Sequence, residues 1–203
     1  MILIIEGPRH SGKTHLLEKF FEQNTNPNVI YYKFLFAKYI DEFGFKDQET
    51  GPGVHYFSLG NILTIFELNK TLLKDKIVVF DRCIISAYVW SIYRKRMKTM
   101  KLHAELEKIL ASELFSNVSL MYISRDKSVE VSKKREKDMF GAFENYSRES
   151  EIFEELLTNF KKYLMDGSKA NSFHMFNNAF DEKSVTLFNS IMNEIVNKVR
   201  GVE

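Results

Sequence analysis

Ile2-Leu3-Ile4-Ile5-Glu6-Gly7-Pro8-Arg9-His10-Ser11-Gly12-Lys13-Thr14 is the stretch that decides how the rest of the chain is read. Its first four residues form an apolar run of strand length. Gly7-x-x-x-x-Gly12-Lys13-Thr14 follows at once, and a helix-like pattern runs on from His15 to Phe21. Strand, glycine-rich turn and helix start, in that order, make a P-loop. Gly7 and Gly12 let the backbone curl so that its N–H groups face one anion. The helix beginning near Lys13 adds the positive end of its dipole. Lys13 can reach the β- and γ-phosphates of ATP, and the Thr14 hydroxyl can ligate Mg²⁺. Gly7, Pro8, Arg9, His10, Ser11, Gly12, Lys13 and Thr14 are therefore the expected ATP-binding residues.

Outward from this stretch, apolar segments of strand length recur. Residues 29–34 are rich in β-branched and aromatic side chains, 77–80 are a continuous apolar run, and 119–123 and 172–176 complete a set of five. Helical spacing of apolar residues lies between and after them, over 57–73, 84–96, 104–115, 150–165 and 182–199. The cluster at 24–28 reads as a turn and Gly51-Pro52-Gly53 as a loop. Alternation of this kind predicts an α/β chain with the three-layer P-loop NTPase fold: a five-stranded parallel sheet with helices on both faces. The P-loop strand should be central, with ligands outside the carboxyl ends of the strands. No repeat or linker interrupts the pattern, which predicts one domain over 1–203.

Composition narrows the field further. The 203 residues are 44% hydrophobic and 28% charged, which suits a globular domain with a substantial core. A formal charge of +2 makes no bulk electrostatic case for nucleic acid or membrane. The single cysteine, Cys83, excludes an internal disulfide and fits a reducing compartment. No apolar run approaches membrane-spanning length, and the N-terminal run is too short for a signal peptide. A cytoplasmic location is expected.

Two further stretches carry chemistry. Asp81 ends the apolar strand at 77–80, where a Walker-B carboxylate holds Mg²⁺ directly or through water; the competing role is a cap on the next helix. Arg82 beside it points into the same crevice, where a guanidinium binds phosphate bidentately. Lys133-Lys134-Arg135-Glu136-Lys137 follows the fourth strand and reads either as a charged helix face or as cations that close over the transferring phosphoryl group. The basic run 94–101 reads as a solvated helix end or loop. His55, His103 and His174 show no metal-ligand spacing, and Cys83 reads as a buried thiol.

Glu6 to Thr14, together with Asp81-Arg82 and the Ser86-Ala87-Tyr88 that follows, resembles the thymidylate kinases among the P-loop nucleoside and nucleotide kinases. Phe57-Ser58-Leu59-Gly60-Asn61 resembles the family segment whose aromatic ring stacks on the acceptor base. Residues 133 to about 147 look like the lid, and Asn177-Asn178-Ala179 like the adenine-side loop. The resemblance implies catalytic roles for Lys13, Asp81, Arg82 and Arg135. It implies donor contacts from Lys133, Lys137 and Asn178, and acceptor contacts from Phe57, Asn61, Arg82, Ser86, Trp90 and Lys38. Thr14 and Asp81 would hold the metal. The chain departs from the family pattern at several positions. Asn61 stands where an arginine usually reads the base, and Arg9 replaces a carboxylate that touches the sugar. His10 stands where an arginine is common. The Arg-Glu-Pro segment after the second strand is absent, leaving Lys33 or Lys38 to supply its cation.

The implied activity is transfer of the ATP γ-phosphoryl group to a (deoxy)nucleoside monophosphate, with a thymidylate-like pyrimidine nucleotide as acceptor. A deoxynucleoside kinase, a polynucleotide or DNA-base kinase and an ATP-binding regulatory module are the alternatives. The partners expected are a small nucleotide acceptor, no membrane and no nucleic acid; a homodimer is left open.

Overall fold

The computed structural model describes residues 1–8, 11–33, 51–93, 98–125, 144–165 and 172–198. The side chains of 51–55, 57, 144–147, 160 and 198 are outside that description. In chain order the elements are β1 (Ile2–Glu6), α1 (Lys13–Gln23), β2 (Val29–Lys33), α2 (Gly51–Thr71), β3 (Ile77–Asp81), α3 (Ile84–Tyr93), α4 (Thr99–Ala111), β4 (Val118–Arg125), α5 (Glu144–Leu164), β5 (Ser172–Asn178) and α6 (Glu182–Lys198).

The five strands form one parallel sheet in the order β2-β3-β1-β4-β5, so the P-loop strand is central as expected. Burial follows position in the sheet. Every residue of β1 and β3 is buried, whereas β2 at one edge is half-buried and ends on the exposed Lys33. Side-chain alternation splits the core in two. Ile2, Ile4, Val78, Phe80 and Leu120 face α2, α3, α4 and α5, while Leu3, Ile5, Val79, Met121 and Ile123 face α1 and α6. This is the three-layer α/β P-loop NTPase fold that the alternating pattern predicts.

Several boundaries differ from expectation, among them the start of α5, which opens at Glu144 rather than at 150 and takes in the end of the expected lid. Gly51-Pro52-Gly53 is the first turn of α2, not a loop. Proline is tolerated there because the first N–H groups of a helix have no intrahelical partner. The helix expected over 104–115 begins at Thr99 and ends at Ala111; Ser112 then turns back, its hydroxyl donating to the Ile109 carbonyl at 2.6 Å, before a short 3₁₀ turn at Glu113–Phe115. The last strand runs on through Asn177 and Asn178, so those residues are strand rather than loop. Of the basic run, Lys98 flanks α4 and Lys101 lies in it, while 94–97 are outside the described residues.

Phe80 shows how the face under α2 is packed. It is fully buried, with ring centroids 5.1 Å from Tyr32 and 5.8 Å from Phe66. Phe80→Ala should lower the unfolding free energy by about 3–5 kcal/mol, because the lost burial is compounded by a cavity between strands and helix. Urea denaturation followed by circular dichroism measures this; a loss under about 1 kcal/mol would mean that the rings repack to fill the space.

Candidate active site

The site lies at the carboxyl ends of β1 and β3, beside β4, which runs on past them to Arg125. At Gly7 (φ +144°) the chain leaves β1, passing so close to β4 that a Cβ would sit 2.1 Å from the Ile123 carbonyl oxygen. At Gly12 (φ +83°) it turns into α1, and a Cβ there would meet the Asn178 amide at 2.2 Å. Both positions combine a positive φ with a close neighbour, and only glycine satisfies the two together. Asn178 completes the brace: its Nδ2 donates to the Ser11 carbonyl at 2.9 Å and its Oδ1 accepts from the Phe180 N–H at 2.9 Å.

Lys13 is 4% exposed, and its ammonium donates to the Pro8 carbonyl at 2.5 Å and to the Ser11 hydroxyl oxygen at 3.0 Å. Burial, reinforced by the nearby Arg82 charge, holds its pKa well below the usual lysine range. A phosphate entering the loop would bring the negative charge that such an ammonium needs.

Asp81 caps the sheet beside it. The Thr14 hydroxyl donates to Asp81 Oδ2 at 2.7 Å, and the Tyr31 phenol donates to the same oxygen at 3.2 Å. Burial first, then the Asp81 carboxylate, pushes the Tyr31 phenol upward, so it stays a donor at neutral pH. The other carboxylate oxygen, Oδ1, is buried without a hydrogen-bond partner. A hydroxyl and a carboxylate with one unpartnered buried oxygen are hard donors of the kind Mg²⁺ takes when phosphates and water supply its remaining ligands. Among the described residues no cluster of three or more His, Cys, Asp or Glu side chains could hold a metal by itself.

Arg82 follows in the left-handed region (φ +70°), unusual for a residue with a Cβ. Its N–H donates to the Ile5 carbonyl at 3.0 Å, and the turn brings Nη1 back to 3.3 Å from the Gly7 carbonyl oxygen and 3.4 Å from Ser86 Oγ. The turn is anchored by Glu6. That fully buried carboxylate accepts from the N–H groups of Cys83 at 3.0 Å and Ser86 at 3.1 Å, and from the Ser86 hydroxyl at 2.5 Å. It thereby caps α3 from another element, using the favourable pairing of a carboxylate with a helix N-terminus. Burial raises the Glu6 pKa, outweighing the Ser86 hydrogen bonds and the Arg82 and Lys13 charges. Burial also pushes the Cys83 thiol well above its usual range, so it is no nucleophile at neutral pH.

The structure thus gathers Gly7, Pro8, Ser11, Gly12, Lys13, Thr14, Asp81, Arg82 and Ser86 into one crevice. Ser86 is buried and its hydroxyl proton is given to Glu6, so it buttresses Arg82 where the resemblance implied a substrate contact. Asn178 likewise meets the P-loop backbone from within the protein and is 1% exposed. Asn61 lies on the exposed side of α2, and Trp90 is half-buried on α3, edge-on to Tyr93 at 5.8 Å. Arg9, His10, Lys38, Lys133, Arg135, Lys137, the Phe57 ring and residues 133–143 of the expected lid lie outside the described residues.

Sequence reasoning left three site residues without a role: Glu6, Tyr31 and Glu149, whose carboxylate lies 3.7 Å from Arg82 Nη1. The signal for Glu6 and Glu149 was an acid at an apolar position, closing a buried strand in one case and lying on a helix's buried stripe in the other. Tyr31 gave no signal beyond strand alternation.

The fold is that of the P-loop NTPases. Within it the chain superposes on a thymidylate kinase from Ehrlichia chaffeensis with a TM-score of 0.58 at 17% identity, over 97% of this chain and 98% of that one. A deoxyadenosine kinase from M. mycoides with bound dCTP gives 0.59 at 15% identity, over 97% and 100%. A NadR protein in complex with NR gives 0.62 at 14% identity over the whole of this chain, which spans 51% of that protein's length. At such identities the likeness is one of fold. No family model and no curated protein matches by sequence. No helix among the described residues is long and apolar enough to cross a membrane.

The raised Glu6 pKa has a definite sign in stability. A carboxyl whose folded pKa lies above its unfolded value favours folding fully below the unfolded value and loses that contribution as pH rises through the folded one. Relative to Glu6→Gln, the wild type should therefore lose stability as pH rises from about 4.5 toward neutrality. Urea titrations of both proteins across that range check this, and parallel pH profiles would count against it.

Proposed function

We propose that this chain is an ATP-dependent kinase of the nucleoside and nucleotide class, acting on a (deoxy)nucleoside monophosphate, with a thymidylate-like pyrimidine nucleotide as the favoured acceptor. The observation that carries the reading is the convergence on one P-loop of a buried Lys13, the Thr14–Asp81 pair with its unpartnered oxygen, and Arg82 turned back toward Gly7. The full-length superposition on a thymidylate kinase supports it as a likeness of fold.

In this reading the P-loop N–H groups and Lys13 bind the donor's β- and γ-phosphates. Thr14 and Asp81 would hold Mg²⁺, which would supply charge neutralisation at the phosphates. Arg82 is aimed at charge that develops on the transferring group. The acceptor oxygen attacks the γ-phosphorus in line, the bond to the β,γ-bridging oxygen breaks, and ADP leaves with that electron pair. An acceptor that is already an oxyanion needs no strong general base, so positioning and charge neutralisation suffice. The sequence places no Asp or Glu between Lys33 and Asp41, directly after β2, to deprotonate a nucleoside hydroxyl. This favours the monophosphate. Arg9, His10, Lys133, Arg135 and Lys137 are assigned to the donor phosphates, Arg135 as a catalytic cation. Lys38, Phe57, Asn61 and Trp90 are assigned to the acceptor. The free, buried Cys83 is consistent with a cytoplasmic enzyme.

ADP release measured with ATP and Mg²⁺ across nucleosides, nucleotides and oligonucleotides tests the reading. Turnover fastest with a pyrimidine deoxynucleoside monophosphate is expected. Turnover confined to nucleosides would make it a deoxynucleoside kinase, and slow hydrolysis indifferent to every acceptor would make it an ATP-binding regulatory module.

Lys13→Ala should abolish transfer while leaving the circular dichroism spectrum unchanged, since its role is electrostatic. Near-normal turnover would remove Lys13 from the mechanism. Arg82→Ala should lower kcat by about a hundredfold or more for every acceptor, as expected for loss of a donor aimed at transition-state charge. A change confined to melting temperature would make Arg82 a structural residue.

A further inference from the structure

The buried face of α5 carries one residue that its packing does not require. Ile152, Phe153, Leu156 and Leu157 form the apolar stripe that seats this helix in the core. Glu149 stands three, four, seven and eight residues before them, on the same stripe, and is 1% exposed. Glu151, Glu154 and Glu155 on the same helix are exposed to water. A carboxylate buried on an apolar stripe is costly unless nearby charge offsets it, and here the cations are Arg82 and Lys13. Glu149 faces Arg82, its Oε1 3.7 Å from Nη1. That separation exceeds a short charge-assisted hydrogen bond, so the carboxylate attracts the guanidinium without tying up an N–H in a close pair. The neighbouring Arg148 lies over the Tyr93 ring at 5.4 Å, which fixes this turn of α5 against the end of α3.

We propose that Glu149 is a positioning residue for Arg82 in phosphoryl transfer; the inference rests on the kinase reading above. Arg82 leaves β3 in a left-handed turn, and its guanidinium is then set from three sides: the Gly7 carbonyl, the Ser86 hydroxyl oxygen and Glu149. The Gly7 carbonyl belongs to the P-loop and Ser86 is fixed by Glu6, but neither carries charge at the contact with Arg82. Glu149 supplies the charged contact, from an element outside both the P-loop and the Asp-Arg pair. It aims Arg82 and touches no substrate itself.

The test is a double-mutant cycle on steady-state turnover with ATP, Mg²⁺ and the best acceptor from the panel. In Glu149→Gln, which keeps the volume and removes the charge, kcat and kcat/KM should fall together by about ten- to a hundredfold while the KM for ATP holds. Glu149→Leu should lose the same activity per folded molecule and melt below the wild type, because removing one partner leaves the Arg82 charge uncompensated. In an Arg82→Ala background Glu149→Gln should lower kcat no further. Losses that add, or a Glu149→Gln kcat within about twofold of wild type, would overturn the proposal. So would a Glu149→Leu protein that is less stable but fully active per folded molecule. Wild-type protein inactive on the entire panel would instead overturn the kinase reading, and this proposal with it.

Discussion

Parallel pairing of β1 with β3, which sets Ile5 opposite Asp81, is the constraint from which the crevice follows. It ends two central strands at the same level. Asp81 thereby comes within hydrogen-bond reach of Thr14 on the first turn of α1, and Glu6 within reach of the N–H groups that open α3. A slip of one residue in either strand would turn that strand's carboxylate to the wrong face of the sheet. The apolar identity of β1 and β3 makes that slip costly, because every side chain in both strands is buried.

Charge in the crevice is held in tension. Lys13 and Arg82 bring two cations near Glu6 and Asp81, and Lys13 is almost fully desolvated. Glu6 is engaged with the α3 N-terminus and Asp81 with Thr14 and Tyr31. A loop of this kind is prepared for an arriving anion, since bound phosphate would satisfy N–H groups, the ammonium and the helix dipole at once. Both described ends of the loop are held, because Gly7 is pressed against β4 and Gly12 against Asn178 at the end of β5. Neighbouring strands therefore brace both of those ends.

The P-loop, the alternation of strands and helices, the central place of β1 and the Asp81-Arg82 pair were all legible in the sequence. Each is a local property: an apolar run, a glycine at a set spacing, or a polar residue directly after a buried strand. The misplaced helix starts at 51, 99 and 144 have a local cause as well. Glycine and proline mark both loops and first turns, and residues with weak apolar periodicity do not reveal where a helix begins. Asn178 stands against the P-loop backbone, and its inward orientation depends on the last strand continuing past Phe176.

What the sequence by itself determined was the fold class and the place of the P-loop in it, because a P-loop is built from consecutive residues whose backbone geometry is set by two glycines. Tertiary structure alone decided how the side chains from distant elements meet. It gave Glu6 to the start of α3 across 80 positions and Glu149 to Arg82 from a helix in another layer of the fold. It also turned Ser86 from a presumed substrate contact into a brace. Such contacts depend on strand register and on which face a helix buries. Those are properties of the assembled sheet and its packing, and no window of neighbouring residues contains them.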